Sequence, residues 1–164
     1  MTKSRVAVAL MVIADAGLLA WGAIAALAPD HLVGPSGVPI LTAGYEHFTG
    51  YSWSDLARTF PNARDYMTVL FRVYGAFNVA VGVLATAIAC TAFRKGERWA
   101  WWTLLVANVI AYGSAMSYDQ IVNAIGPFEM MEYVGLAAIL VALAIKAPFR
   151  TGEQFAQATA DAPF

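Results

Sequence analysis

From Met67 to Phe93 the chain carries one charged side chain, Arg72, and it then breaks into the basic cluster Arg94-Lys95-Gly96-Glu97-Arg98. As a helix rising 1.5 Å per residue that run is about 40 Å long, enough to cross a hydrocarbon layer of about 30 Å. Arg72, Gly75, Asn78, Gly82, Ala85 and Ala89 recur three or four residues apart and share one helical face, opposite Leu70, Val73, Phe77, Val81 and Leu84. A helix with a small, polar stripe and a greasy back packs its stripe against other helices and turns the back to lipid or a partner.

The rest of the chain agrees with a membrane setting. Hydrophobic residues make up 60% and charged residues 13%, with a mean hydropathy of +0.60, whereas soluble domains carry about 25% charged residues. At 164 residues a single domain is expected. A net charge of -1, with few basic residues set beside apolar runs, excludes a nucleic-acid surface. One cysteine, Cys90, makes no intrachain disulfide or paired-thiol chemistry, and within an apolar helix it is expected to be a small core residue.

Four apolar runs, at about 6–28, 67–93, 99–118 and 128–147, predict an all-α integral membrane four-helix bundle over residues 1–150. The first run follows Lys3 and Arg5 and ends on Ala26-Leu27-Ala28, which resembles a signal-peptide cleavage box. Its length and Pro29 just after the box favour a retained helix. Residues 29–66 form a long extracytoplasmic cap, rich in Gly, Pro and the aromatics Tyr45, Phe48, Tyr51, Trp53 and Phe60, which suit the headgroup layer. Within it Ser52-Trp53-Ser54-Asp55 fits a capping box for a short interfacial helix, continuing over Asp55 to Phe60 and stopped by Pro61. Asn62 and Asp65 then predict a second helix start near Met67. Trp99, Trp101 and Trp102 anchor the third span, and Pro148 stops the fourth. Residues 151–164 read as a flexible cytoplasmic tail. Lys3, Arg5, Arg94, Lys95, Arg98, Lys146 and Arg150 fall on one side of such a bundle, so both termini are expected in the cytoplasm of a bacterial inner-membrane protein.

Every span contributes a polar group to the interior. Asn108, Tyr112, Ala115 and Asp119 form a stripe on the third helix; Glu129, Glu132 and Gly135 share a face of the fourth; Asp15 sits near the middle of the first. Depths counted from the expected helix ends bring Arg72 and Glu132 to similar levels and predict an ion pair between them. Asp15, Asn78 and Asn108 fall near the midplane, where a lone carboxylate is expensive, so the two amides are expected to hydrogen-bond a neutral Asp15. One arginine then faces Glu132, Glu129, Asp119 and, deeper, Asp15. Such crowding points to a proton-accepting or cation-binding pocket opening outward beneath the cap, set against a plain polar network that fixes helix register. Glu46, His47 and His31 lack metal-ligand spacing, and no metal or cofactor is expected.

The segments Phe71-Arg72-Val73-Tyr74-Gly75-Ala76-Phe77-Asn78, Arg94-Lys95-Gly96-Glu97-Arg98-Trp99-Ala100-Trp101-Trp102 and Gly126-Pro127-Phe128-Glu129 resemble uncharacterised small bacterial four-helix membrane proteins, broadly the DoxX-type group, over roughly Trp53 to Ala147. That resemblance implies a fold and little about activity. A more distant likeness runs to the sterol-isomerase and sigma-2-receptor group, in which intramembrane acids line a lipid-binding pocket; no residue role is transferred from it.

The expected role is a non-catalytic accessory or interaction subunit of a larger bacterial membrane assembly, for example in envelope or lipid transport. Its partners would be membrane lipids and other membrane subunits or further copies of itself. The alternative is a lipid- or isoprenoid-binding protein or small membrane enzyme using Asp15, Arg72 and Glu132 in the outward pocket. An ion- or proton-coupled carrier ranks third, because four helices would have to oligomerise.

Overall fold

In a computed structural model, described for residues 2–29, 40–123, 125–126 and 129–148, all regular structure is helical. The elements are α1 (Lys3–Leu27), α2 (Ile40–Thr49), α3 (Trp53–Thr59), α4 (Pro61–Ile88) running on into a π-helical turn (Ala89–Phe93), α5 (Arg98–Val122) and α6 (Glu129–Ile145). Two of them, α1 and α4 with its π turn, are long and apolar enough to cross a membrane. Only 28% of the apolar window of each is buried within the chain, whereas the core helix of a soluble protein is mostly buried. The tail expected at 151–164, His31 and Arg150 lie outside the described residues.

The small-residue stripe organises the packing. α1 lies between α4 and α6, and α5 packs on α6. At the α1–α4 crossing Gly22 and Gly75 meet backbone to backbone, and a Cβ on Gly22 would sit 2.8 Å from Gly75 O and 2.9 Å from Val79 N. Gly75, Gly82, Ala85 and Ala89 are buried as the spacing predicted, while Leu70, Val73, Phe77 and Leu84 are exposed on the back. The remaining core is built from Ala7, Met11, Ala14, Ala92, Phe93, Leu104, Ile139 and Leu143. Small side chains let the helix backbones approach, and the resulting van der Waals contact holds helices together where the solvent is itself apolar.

Helix ends follow local chemistry, and one corrects the expected boundaries. Ser52 caps α3: its Oγ accepts the Asp55 N–H at 3.0 Å and donates to Asp55 Oδ2 at 2.7 Å. Pro61 does more than stop α3, because it occupies the first turn of α4, where a missing N–H is harmless and the fixed φ suits a helix. Asn62 and Asp65 therefore lie inside α4. The helix with its π turn spans 33 residues, about 50 Å against a hydrocarbon layer of about 30 Å, so its first turns project beyond the apolar run.

At the other end the wider turn leaves the Arg94 N–H bonded to Ala89 O, five residues back. Phe93 is thereby turned into the core and Cys90 outward, which corrects the expectation of a buried cysteine. Gly96, at φ +86°, makes the tight turn into α5. Lys146 closes this end, donating from Nζ to Phe93 O at 2.5 Å and to Arg94 O at 2.7 Å, with its ammonium 5.1 Å from the Phe93 ring centre. The start of α1 packs beside the same π turn. Lys3, Arg5, Arg94, Lys95, Arg98 and Lys146 thus gather at one end of the bundle, and Asp119, Glu129 and Glu132 stand toward the other.

Candidate functional site

At the acidic end, two short helices cover the bundle. α3 is tied down by Trp53, only 8% exposed, whose ring meets Tyr45 edge-on at 5.7 Å and Phe71 of α4 at 6.2 Å. The Glu46 carboxylate accepts the Trp53 N–H at 2.8 Å and so links α2 to the start of α3. α2, a helix the sequence reading did not separate from the rest of the cap, lies over α5. Its Gly44 makes room for a tyrosine: a Cβ there would sit 2.5 Å from the Tyr118 hydroxyl. His47 is exposed, and among the described residues no three His, Cys, Asp or Glu side chains converge as a metal site.

Beneath this cap is a cavity of about 270 Å³ to which all six helices except α3 contribute. Leu41 and Gly44 of α2 roof it, and Trp21 of α1, Phe71 and Tyr74 of α4 and Tyr118 of α5 give it aromatic walls. Asp119 of α5 and Glu129 and Glu132 of α6 supply the acidic side. These carboxyl groups are not equivalent. Glu129 Oε2 accepts the Gly126 N–H at 2.8 Å. Asp119, 8% exposed, and Glu132 lie within hydrogen-bonding reach of each other. Asp119 Oδ2 and Glu132 Oε2 are nevertheless buried without an N–H or O–H donor from the described residues. Two carboxyl groups so placed are satisfied by a proton shared between them or by a positively charged donor.

Arg72 supplies no such donor. It is exposed, it does not line the cavity, and among the described residues it makes no ion pair with Glu132. The helical count explains the difference. Stepping back along the buried stripe from Gly82 through Asn78 and Gly75, the next inward position is 71, four residues on, and Phe71 takes it. Arg72 stands one residue further round the helix, at the edge of the exposed apolar side.

Asp15, Asn78, Asn108 and Tyr112 do not line the cavity; Asp15, Asn108 and Tyr112 are buried, and half-buried Asn78 lies within hydrogen-bonding reach of Tyr74 on the cavity wall. Asp15 is fully buried and neither carboxyl oxygen has a hydrogen-bond partner among the described residues. The expected amide partners are otherwise disposed: Asn108 Nδ2 donates at 2.9 Å to Leu104 O on its own helix, and Asn78 Nδ2 makes no bond to it. The Tyr112 hydroxyl donates instead to Ala14 O at 3.2 Å, beside Asp15, and stands within electrostatic reach of both Asp15 and Glu132. Gly135 of α6 leaves the space for that ring; a Cβ there would meet Tyr112 Cε1 at 2.8 Å.

Of the residues singled out from sequence, the fold therefore brings Asp119, Glu129 and Glu132 to the cavity, keeps Asp15, Asn78, Asn108 and Tyr112 inside the bundle, and turns Arg72 away. Trp21, Phe71, Tyr74 and Tyr118 were missed because aromatic residues in an apolar helix look alike whether they face lipid or a cavity. The one usable signal was position: Tyr118 adjoins Asp119, and Phe71 continues the glycine stripe. Comparison with protein-family models, with curated proteins and with solved structures finds no match.

Proposed function

We propose that the chain is a four-span protein of the bacterial cytoplasmic membrane, with both termini cytoplasmic, that binds a small, partly apolar molecule in the cavity beneath its outward cap. The observation that carries the reading is the cavity itself: an aromatic pocket at the end of the bundle where Asp119 is more than nine-tenths buried with an unsatisfied oxygen. A mainly apolar pocket with a few fixed polar groups is the usual form of a small-molecule site. At about 270 Å³ it is slightly smaller than the roughly 300 Å³ at which drug-sized pockets begin. A headgroup or a short amphiphile suits it better than a whole lipid. The gathering of basic residues at the opposite end supports the orientation, since cytoplasmic loops carry the excess of Lys and Arg.

A second reading, an accessory subunit of a larger membrane assembly, is favoured by the exposed apolar faces Leu70, Val73, Phe77 and Leu84 on α4 and Val106, Val109 and Ile110 on α5. Native mass spectrometry of the protein extracted gently from its own membrane separates the two. A lone chain or homo-oligomer retaining a small molecule supports the pocket reading, and a bare chain at fixed stoichiometry with other subunits supports the second. Topology is tested in a Cys90→Ser background with Tyr51→Cys and Lys95→Cys. A membrane-impermeant maleimide should label the first in intact cells and the second only after lysis; the reverse pattern refutes the orientation.

A further inference from the structure

Resting on the pocket reading above, we infer that the cavity takes a protonated amine: an ammonium group with N–H donors on a short apolar stem.

The acidic side asks for donors. Asp119 Oδ2 and Glu132 Oε2 are buried with no donor from the described residues, and Glu129 Oε2 accepts the Gly126 N–H. No lysine or arginine among the described residues lines the cavity. An anionic ligand would add like charge in a poorly solvated site, and a neutral apolar one would leave the two carboxyl groups no donor beyond a proton shared between them. A cation removes both difficulties.

The walls say which cation. Hard metal ions take six or more oxygens or a convergent set of side chains, and no such convergence is present among the described residues. Aromatic side chains suit organic cations, which the ring faces attract and whose alkyl parts they cover. A primary ammonium has three donors, enough for both open oxygens, whereas a quaternary ammonium has none. Phe71, Tyr74, Trp21 and Tyr118 then line the path of the stem.

The test is calorimetric titration of the full chain in nanodiscs of zwitterionic lipid, with empty nanodiscs subtracted. The probes are n-hexylammonium, n-hexyltrimethylammonium, hexanol and hexanoate, which share a stem and differ in the head. Hexylammonium should bind at least about ten-fold more tightly than hexanol or hexyltrimethylammonium, and hexanoate should not bind. Asp119→Asn and Glu132→Gln, each checked for helicity and monodispersity, should weaken hexylammonium by about ten-fold or more and leave hexanol unchanged. Hexanol binding as tightly as hexylammonium overturns the inference while leaving the pocket reading in place. Equal binding of the trimethyl compound overturns the requirement for N–H donors and the inference with it. Silence from all four probes also overturns it, and a chain that retains no small molecule in native mass spectrometry would then remove the pocket reading too. The ranking on the unaltered chain stands even if a variant fails to fold.

Discussion

Gly75→Ala adds one methyl group at the place where α1 and α4 are closest. Built on the native backbone, that Cβ would run into Ala26 N and lie 2.6 Å from Gly22 O and 2.8 Å from Ala25 C. All three obstacles are backbone atoms of α1, so no rotamer change relieves them. Restoring an ordinary separation of 3.4 Å from Gly22 O requires the helices to part by about 0.8 Å at the crossing, the difference between 3.4 and 2.6 Å. Overpacking of a filled interior costs about 1–3 kcal/mol, and alanine's helix preference returns up to about 1 kcal/mol. A net loss of about 1 kcal/mol corresponds to a melting point lower by roughly 2–4 °C for a chain of this size. Thermal unfolding in mild detergent, followed by tryptophan fluorescence, measures it. Gly17→Ala is the control, since a Cβ there has nothing within 4 Å, and it should melt at or above the unaltered protein. Gly22→Ala enters the same gap from the other side, so the double variant should fall short of the sum of the singles by at least about 0.5 kcal/mol. A Gly75→Ala protein as stable as the Gly17→Ala control would refute the close crossing.

Three further outcomes are expected from the same assay. Gly135→Ala should cost about 1–2 kcal/mol, because its methyl group displaces the Tyr112 ring and draws the hydroxyl from Ala14 O. Trp101→Phe should cost about 1 kcal/mol for the lost 2.8 Å bond from Nε1 to Leu143 O, which ties α5 to α6. Arg72→Ala should stay within about 0.5 kcal/mol, as for other exposed residues with no ion-pair partner among the described residues; a loss of about 3 kcal/mol or more would restore the Arg72–Glu132 pair.

What the sequence disclosed was mostly what a single helix determines by itself. The face through Gly75, Gly82, Ala85 and Ala89 follows from a period of 3.6, and the Ser52–Asp55 cap follows from side-chain reach, so both were legible. Arg72 was misplaced by one position because a charged residue next to a small stripe invites an inward pairing, while the actual register is set by Phe71 against Trp53. α2 was not separable because Gly44, Thr42 and Thr49 weaken its helical pattern; tertiary contact with Tyr118 is its evident reason for that glycine. Whether Asn78 and Asn108 reach Asp15 depends on how three helices rotate about their axes, and no local spacing encodes that. The acids of the cavity were found, and its aromatic walls were not, because a carboxylate in an apolar helix demands an explanation and a phenylalanine does not.

The π-helical turn gives the chain a tolerance for change in length. A turn closed between residues five apart holds one residue more than an α turn covering the same arc, so deletion of the outward-facing Cys90 would convert Ala89–Phe93 to ordinary α-helix. Without that spare residue, a deletion would rotate everything downstream by about 100° and swing Phe93 from the core. With it, the ring stays buried, Phe93 O stays within reach of Lys146, and the hairpin into α5 keeps its direction. A one-residue deletion that would scramble α4 elsewhere should therefore be survivable at this turn.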